Sequence, residues 1–150
     1  MKKPFLLVDA DAGEVRLLTL RQALQRMTDD EGDTLTAILD LGKCASVFDR
    51  RAKDKQQWSI IDLMAVTGQQ LRTVDSWTRA GIIPCSVRPG DGKRGRNGQR
   101  IYSRQDAYIA AIVATVRRNV AMPLPLLKRV SELLADASEP IVDVVDIERN

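Results

Sequence analysis

A chain of 150 residues with 44% hydrophobic side chains is long enough to bury a core, as one domain or as two small ones. Its formal net charge of +3 conceals an asymmetry: residues 51–130 hold 15 basic and 5 acidic side chains, residues 1–50 hold 7 and 9, and residues 131–150 hold 1 and 6. The lack of histidine and the isolation of Cys44 and Cys85 exclude a His-activated nucleophile, a zinc cluster and a disulfide framework, and no apolar stretch approaches the length of a membrane span.

The basic and apolar opening, Met1 to Val8, is cut by Asp9, short of a secretory signal. A cytoplasmic setting with both thiols reduced is therefore expected. Phe5 to Val8 predicts a strand, residues 9–13 a turn, and Val15 to Leu18 a returning strand. Thr19 with Gln22 makes a capping-box pattern, so a helix is expected to about Met27, with Leu20, Ala23 and Leu24 on one face. Asp29 to Asp33 is an acidic loop. From Thr34 to about Arg51 the apolar positions Leu35, Ile38, Leu39, Ala45, Val47 and Phe48 predict a second helix, kinked or broken at Gly42. Residues 52–57 read as a polar linker. Residues 1–55 thus form a hairpin-plus-helix module, expected either to pack against the rest of the chain or to serve oligomerisation or partner binding.

The next stretch carries the strongest pattern. Ser59 is placed to cap a helix whose buried face is Ile60, Leu63 and Met64, with Asp62 in the first turn and Gly68 as the stop. A second helix follows from about Gln70 to Ala80, with Leu71, Val74 and Trp77 inward and Arg72, Asp75, Ser76 and Arg79 outward. Gly81 ends it, and Ile82, Ile83 and Pro84 lead out extended. Two short helices around a glycine turn fit a helix-turn-helix, whose second helix enters the DNA major groove; they fit an ordinary packed pair as well. Residues 86–104 then hold Arg88, Lys93, Arg94, Arg96, Arg100 and Arg104 against the single acid Asp91, with Gly90, Gly92, Gly95 and Gly98 interleaved. Glycines let a loop approach a backbone closely, and guanidiniums supply planar donors for phosphate oxygens. Gln99 to Ser103 alternates as a short strand, with Arg100 and Tyr102 opposite Ile101, and Ser103 can cap the next helix. A basic hairpin directly behind such a helix pair favours a winged helix over a merely solvated loop.

Residues 104 to about 120 predict a helix with Ala107, Tyr108, Ala111, Ile112 and Val116 inward and Arg117 and Arg118 at its end, either complementing the helix dipole or touching phosphates. Pro123 and Pro125 flank the start of a last helix to about Ala135. Residues 136–150 are an acidic tail, or a strand through Ile141 to Ile147. The loop at residues 89–94 lacks the spacing of a phosphate-binding P-loop, and no paired carboxylates suit acid–base work, so neither enzyme activity nor a cofactor is expected.

Three segments resemble the MerR-type winged helix-turn-helix regulators: residues 59–68, residues 73–77 running on to Gly81-Ile82-Ile83-Pro84, and Gly98-Gln99-Arg100-Ile101-Tyr102-Ser103. A looser match is Ala121-Met122-Pro123-Leu124 with Leu127 and Val130. The resemblance implies a mainly α fold with small β elements (α+β), a winged helix-turn-helix over residues 58–135, a second helix that reads base edges, and a wing that grips backbone or minor groove. Carried onto this chain, it makes Arg72, Thr73, Ser76 and Arg79 the helix contacts, and Lys93, Arg94, Arg96, Asn97, Arg100 and Tyr102 the wing contacts, with Tyr102 either bonding a phosphate or packing. Asp75 and Ser76 stand where the family has an arginine and an aromatic residue. Asp75 is read as accepting from a cytosine amino group or as orienting Arg72 or Arg79. Only 16 residues follow Leu134, too few for the family's long coiled-coil helix, so dimerisation through other contacts is expected. The leading functional expectation is a nucleoid-associated, dimeric transcriptional regulator binding a two-fold site in double-stranded DNA. An excisionase-like DNA-bending protein is one alternative. An adaptor that docks on RNA polymerase or another regulator is the other.

Overall fold

The computed structural model describes residues 3–10, 12–29, 36–44, 57–85, 100–120 and 122–137. The fold is α+β, mainly helical, with two small antiparallel sheets among the described residues. Strand β1 (Phe5–Asp9) pairs with β2 (Glu14–Leu18) in the expected hairpin, Leu6 opposite Leu17 and Val8 opposite Val15. Its turn includes Gly13 at φ 65°, and Asp9 Oδ1 accepts from the Ala12 amide at 3.1 Å. Helix α1 (Leu20–Asp29) opens on the capping box read from the sequence: Thr19 Oγ1 accepts from the Gln22 amide, and Gln22 Oε1 accepts from the Thr19 amide.

The long helix expected from Thr34 is absent over the described residues. Strand β3 (Thr36–Asp40) and the short helix α2 (Leu41–Cys44) stand there, and the remainder, residues 45–56, lies outside the described residues. The physical reason is tertiary. Strand β1 needs a partner on its second edge, and β3 supplies it, Leu6 opposite Leu39 and Leu7 opposite Ile38. Adjacent apolar residues such as Ile38 and Leu39 suit a helix face, but they equally suit a strand buried on both sides. Asp40 then turns the chain into α2, its Oδ1 accepting from the Gly42 amide at 2.9 Å.

The sheet has two apolar faces. Leu6, Val8, Val15, Leu17 and Leu39 face the main core. Phe5, Leu7, Leu18 and Ile38 face α1, where Ala23 is the one buried residue among the described side chains of the helix. Leu20 and Leu24, expected to point inward beside Ala23, are exposed instead, because the helix meets the sheet only along the narrow line that Ala23 occupies.

The remaining elements are strand β4 (Gln57–Trp58), helices α3 (Ile60–Thr67) and α4 (Leu71–Arg79), strand β5 (Tyr102–Ser103), and helices α5 (Arg104–Asn119) and α6 (Leu124–Ala135). Helix α5 is the central strut. Residues 106 through 114 are all buried, and Ala107, Ala110, Ala111 and Ala114 let α3, α6 and the small β4–β5 sheet approach closely. Its start is boxed by Ser103 and Asp106, each side chain accepting from the other's amide at 3.0 Å. One hydrophobic cluster joins Leu6, Val8, Leu41 and Cys44 from the front of the chain to residues of α3, α4, α5 and α6. Helix α6 lies against β2, and Arg129 Nη1 donates to the Gly13 carbonyl at 2.7 Å. Among the described residues, no helix is long and apolar enough to cross a membrane.

Candidate nucleic-acid interface

Helix α3 packs against α4 and is capped at both ends. Ser59 Oγ accepts from the Asp62 amide, and Asp62 Oδ2 accepts from the Ser59 amide at 2.9 Å, so the capping role expected of Ser59 is present as a full box. Helix α3 stops at Gly68, whose φ of 70° is one that a side chain rarely adopts. Arg118 closes the same end from α5, donating from Nη1 to the Thr67 carbonyl at 2.9 Å. Arg117 donates to the Met122 carbonyl. Both arginines thus serve helix ends.

Helix α4 buries Val74 and Trp77, as the spacing predicts. Leu71, in the first turn of the helix, does not join them and is exposed. The exit is tight: the Ile82 and Ile83 amides both donate to the Trp77 carbonyl, around Gly81 at φ 79°. Arg72, Ser76 and Arg79 fall at i, i+4 and i+7, on the exposed side of the helix, with Thr73 half-buried beside them.

Asp75 is the joint of the site. Its Oδ2 lies 3.2 Å from Arg79 Nη2, and its Oδ1 accepts from Arg100 Nη1. Of the readings open for Asp75, orientation of Arg79 is the one the geometry contains, and Arg100 is a partner that sequence reasoning missed. Arg100 belongs to the end of the basic loop. Its side chain is only 13% exposed, whereas that of Arg79 is 69% exposed. Arg100 is therefore a clamp between loop and helix, and Arg79 is the guanidinium left facing solvent.

Of the two readings for Tyr102, packing is the one the structure contains, and the residue's place among the wing contacts is corrected accordingly. It is 0% exposed, so its hydroxyl has no route to a phosphate. That hydroxyl sits 2.9 Å from Thr78 Oγ1, which in turn donates to the Val74 carbonyl. Burial raises the phenol above its ordinary pKa against the opposing effect of the Thr78 and Arg100 hydrogen bonds. The alternation read over residues 99–103 places Arg100 and Tyr102 on one side, but that side is the buried one. Asp75 and Thr78 of α4 supply the polar partners that make this burial affordable.

Lys93, Arg94, Arg96 and Asn97 lie outside the described residues, as does everything between Ser86 and Gln99. The two ends of that stretch are placed, and they meet: Cys85 Sγ donates to the Ile101 carbonyl at 3.2 Å. The chain therefore leaves α4 and returns to β5 at one spot, beside Arg100 and Asp75. Trp58 and Gln57 of β4 then pair with Tyr102 and Ser103, which fixes the return strand ahead of α3. Among the described residues, no group of His, Cys, Asp or Glu is arranged to hold a metal ion. The arrangement can present two cations and a hydroxyl from a rigid helix, next to the root of a loop rich in arginine. Comparison with protein families, with curated proteins and with solved structures finds no match to this chain.

Proposed function

We propose that the chain is a regulator of transcription that binds a specific site in double-stranded DNA, with the outer side of α4 in the major groove and the loop at residues 86–99 along the neighbouring backbone. The observation that carries this reading is the Arg79–Asp75–Arg100 chain of ion pairs, which ties the exposed face of α4 to the end of the most basic stretch of the sequence. Arg72, Thr73, Ser76 and Arg79 are the residues for base edges and groove wall. Lys93, Arg94, Arg96 and Asn97 are those for the backbone or minor groove. Arg100 acts by positioning. A two-fold site bound by two copies completes the proposal.

Selection of bound sequences from a random duplex pool is the direct test. A recovered inverted repeat supports specificity and pairing together, whereas no enrichment at low or moderate salt overturns the reading. Alanine at both Arg94 and Arg96 is expected to weaken binding to all duplexes alike and to reduce the slope of log affinity against log salt by about 2. Alanine at Arg72 or Arg79 is expected to cost roughly 1–3 kcal/mol on the selected site and much less on random duplex. Binding with no salt dependence would favour a protein-docking adaptor instead.

A further inference from the structure

The front of the chain holds more acid than base, yet every arginine before Arg50 lines one groove, between α1 and β2: Arg16, Arg21 and Arg26. They arrive from two elements. Strand residues alternate, so Arg16 and Leu18 share the face of β2 that lines the groove, while Val15 and Leu17 pack against the main core. On α1 the lining residues are Arg21, Gln22, Gln25 and Arg26, two pairs four apart on one side of the helix. Gln22 is held in place there, its Oε1 accepting from the Thr19 amide at 2.9 Å. Among the described side chains, one acid pairs with this set: Glu14 lies 3.3 Å from Arg16, and no ion pair reaches Arg21 or Arg26.

Three guanidiniums gathered around one carboxylate repel one another, and an anion between them relieves this. The two positive charges left over match a dianion. A phosphate monoester carries about −1.5 to −2 at neutral pH, and guanidiniums present forked donors to its oxygens. The groove has a volume of about 370 Å³, and small-molecule sites span roughly 300–1,000 Å³. Buried Leu18 in its wall gives an apolar contact for an organic group. We propose that this groove binds a small organic phosphate monoester, gripped by Arg16, Arg21 and Arg26 with the carboxamides of Gln22 and Gln25 beside them. A DNA backbone fits less well. Its phosphates are monoanions, and the three-stranded sheet stands between the groove and the core in which α4 buries Val74 and Trp77. The site is independent of the reading of α4 as a DNA-binding helix, and neither rests on the other.

The test titrates the nitrogen-15-labelled full chain with phenyl phosphate, and in parallel with phenyl sulfate, a monoanion of the same shape. Backbone and arginine Nε–H signals report each residue separately. The expected result is saturable shifts at Arg16, Arg21 and Arg26, half-complete below about 1 mM phenyl phosphate, with phenyl sulfate roughly fivefold weaker or more. Arg21→Gln with Arg26→Gln is expected to weaken binding roughly tenfold or more and to leave signals away from the groove in place. Arg94→Gln with Arg96→Gln is expected to leave the groove signals unchanged, which separates this site from the basic loop. Absence of shifts at the three arginines overturns the proposal. So does equal affinity for the two probes, or binding that survives Arg21→Gln with Arg26→Gln. So does a random duplex that produces the same shifts and displaces phenyl phosphate, which would assign the groove to a nucleic-acid backbone.

Discussion

At the scale of single residues, Asp75 carries the most. It is shared by a solvent-facing arginine four residues on and a nearly buried one from the end of the basic loop. The pair with exposed Arg79 is worth little by itself, about 0.3–0.5 kcal/mol. The pair with Arg100 is worth more, because without Asp75 a guanidinium that is 13% exposed loses its carboxylate. Asp75→Asn is expected to lower stability by about 1–2 kcal/mol in urea unfolding, between the values for surface and interior pairs. An unchanged urea midpoint would show the pair to be idle. Cys44 makes a second prediction. Burial, aided by the Asp40 charge, pushes its thiol up to about 11. At pH 8 only about one thiol in a thousand is then the reactive thiolate. Iodoacetamide on the folded protein at pH 8 is expected to modify Cys85 and spare Cys44. Protection of Cys44 should fade tenfold per unit as pH rises toward 11. For the same reason the contribution of this thiol to stability is complete below pH 9 and is lost between 9 and 11.

At the scale of elements, what the sequence made legible was whatever is decided locally. The three capping boxes at Thr19, Ser59 and Ser103, the left-handed stop at Gly68 and the turn at Gly81 depend on a few neighbouring residues, and each stands where the residues put it. Ser59→Ala and Ser103→Ala should each cost about 1 kcal/mol, seen as a lower melting temperature, and the two should add, since they cap different helices. What was not legible was decided at a distance. Ala37, Ile38 and Leu39 carry no mark that separates helix from strand, and only the open edge of β1 makes them a strand. Tyr102 and Arg100 have the residue types of a phosphate contact, and only Thr78 and Asp75, 24 and 25 positions away, turn them inward. Leu20 and Leu24 have the spacing of a buried face, but among the described side chains of the helix it is Ala23 that is buried against the sheet. Of the candidate interface, the helix contacts were readable from spacing. The positioning role of Asp75 was half-readable, and the clamp at Arg100 was not readable at all.

At the scale of the molecule, the front hairpin and the helices from α3 to α6 share one apolar interior. Leu6 and Leu41 are both 0% exposed within it, although they lie far along the chain from Trp58 and Trp77. Leu41→Ala is expected to cost about 2–5 kcal/mol and to shift tryptophan fluorescence and far-ultraviolet circular dichroism by the same amount, as a single cooperative transition requires. Two separated transitions would show that the front segment unfolds by itself. The meeting of Cys85 with Ile101 has a different kind of consequence. Because departure and return are pinned at one point, the scaffold is indifferent to how many residues run between them, and each doubling of that number costs only about 0.6 kcal/mol. On the proposed reading, a change in the length or charge of this stretch would alter target preference and leave the scaffold beneath it standing.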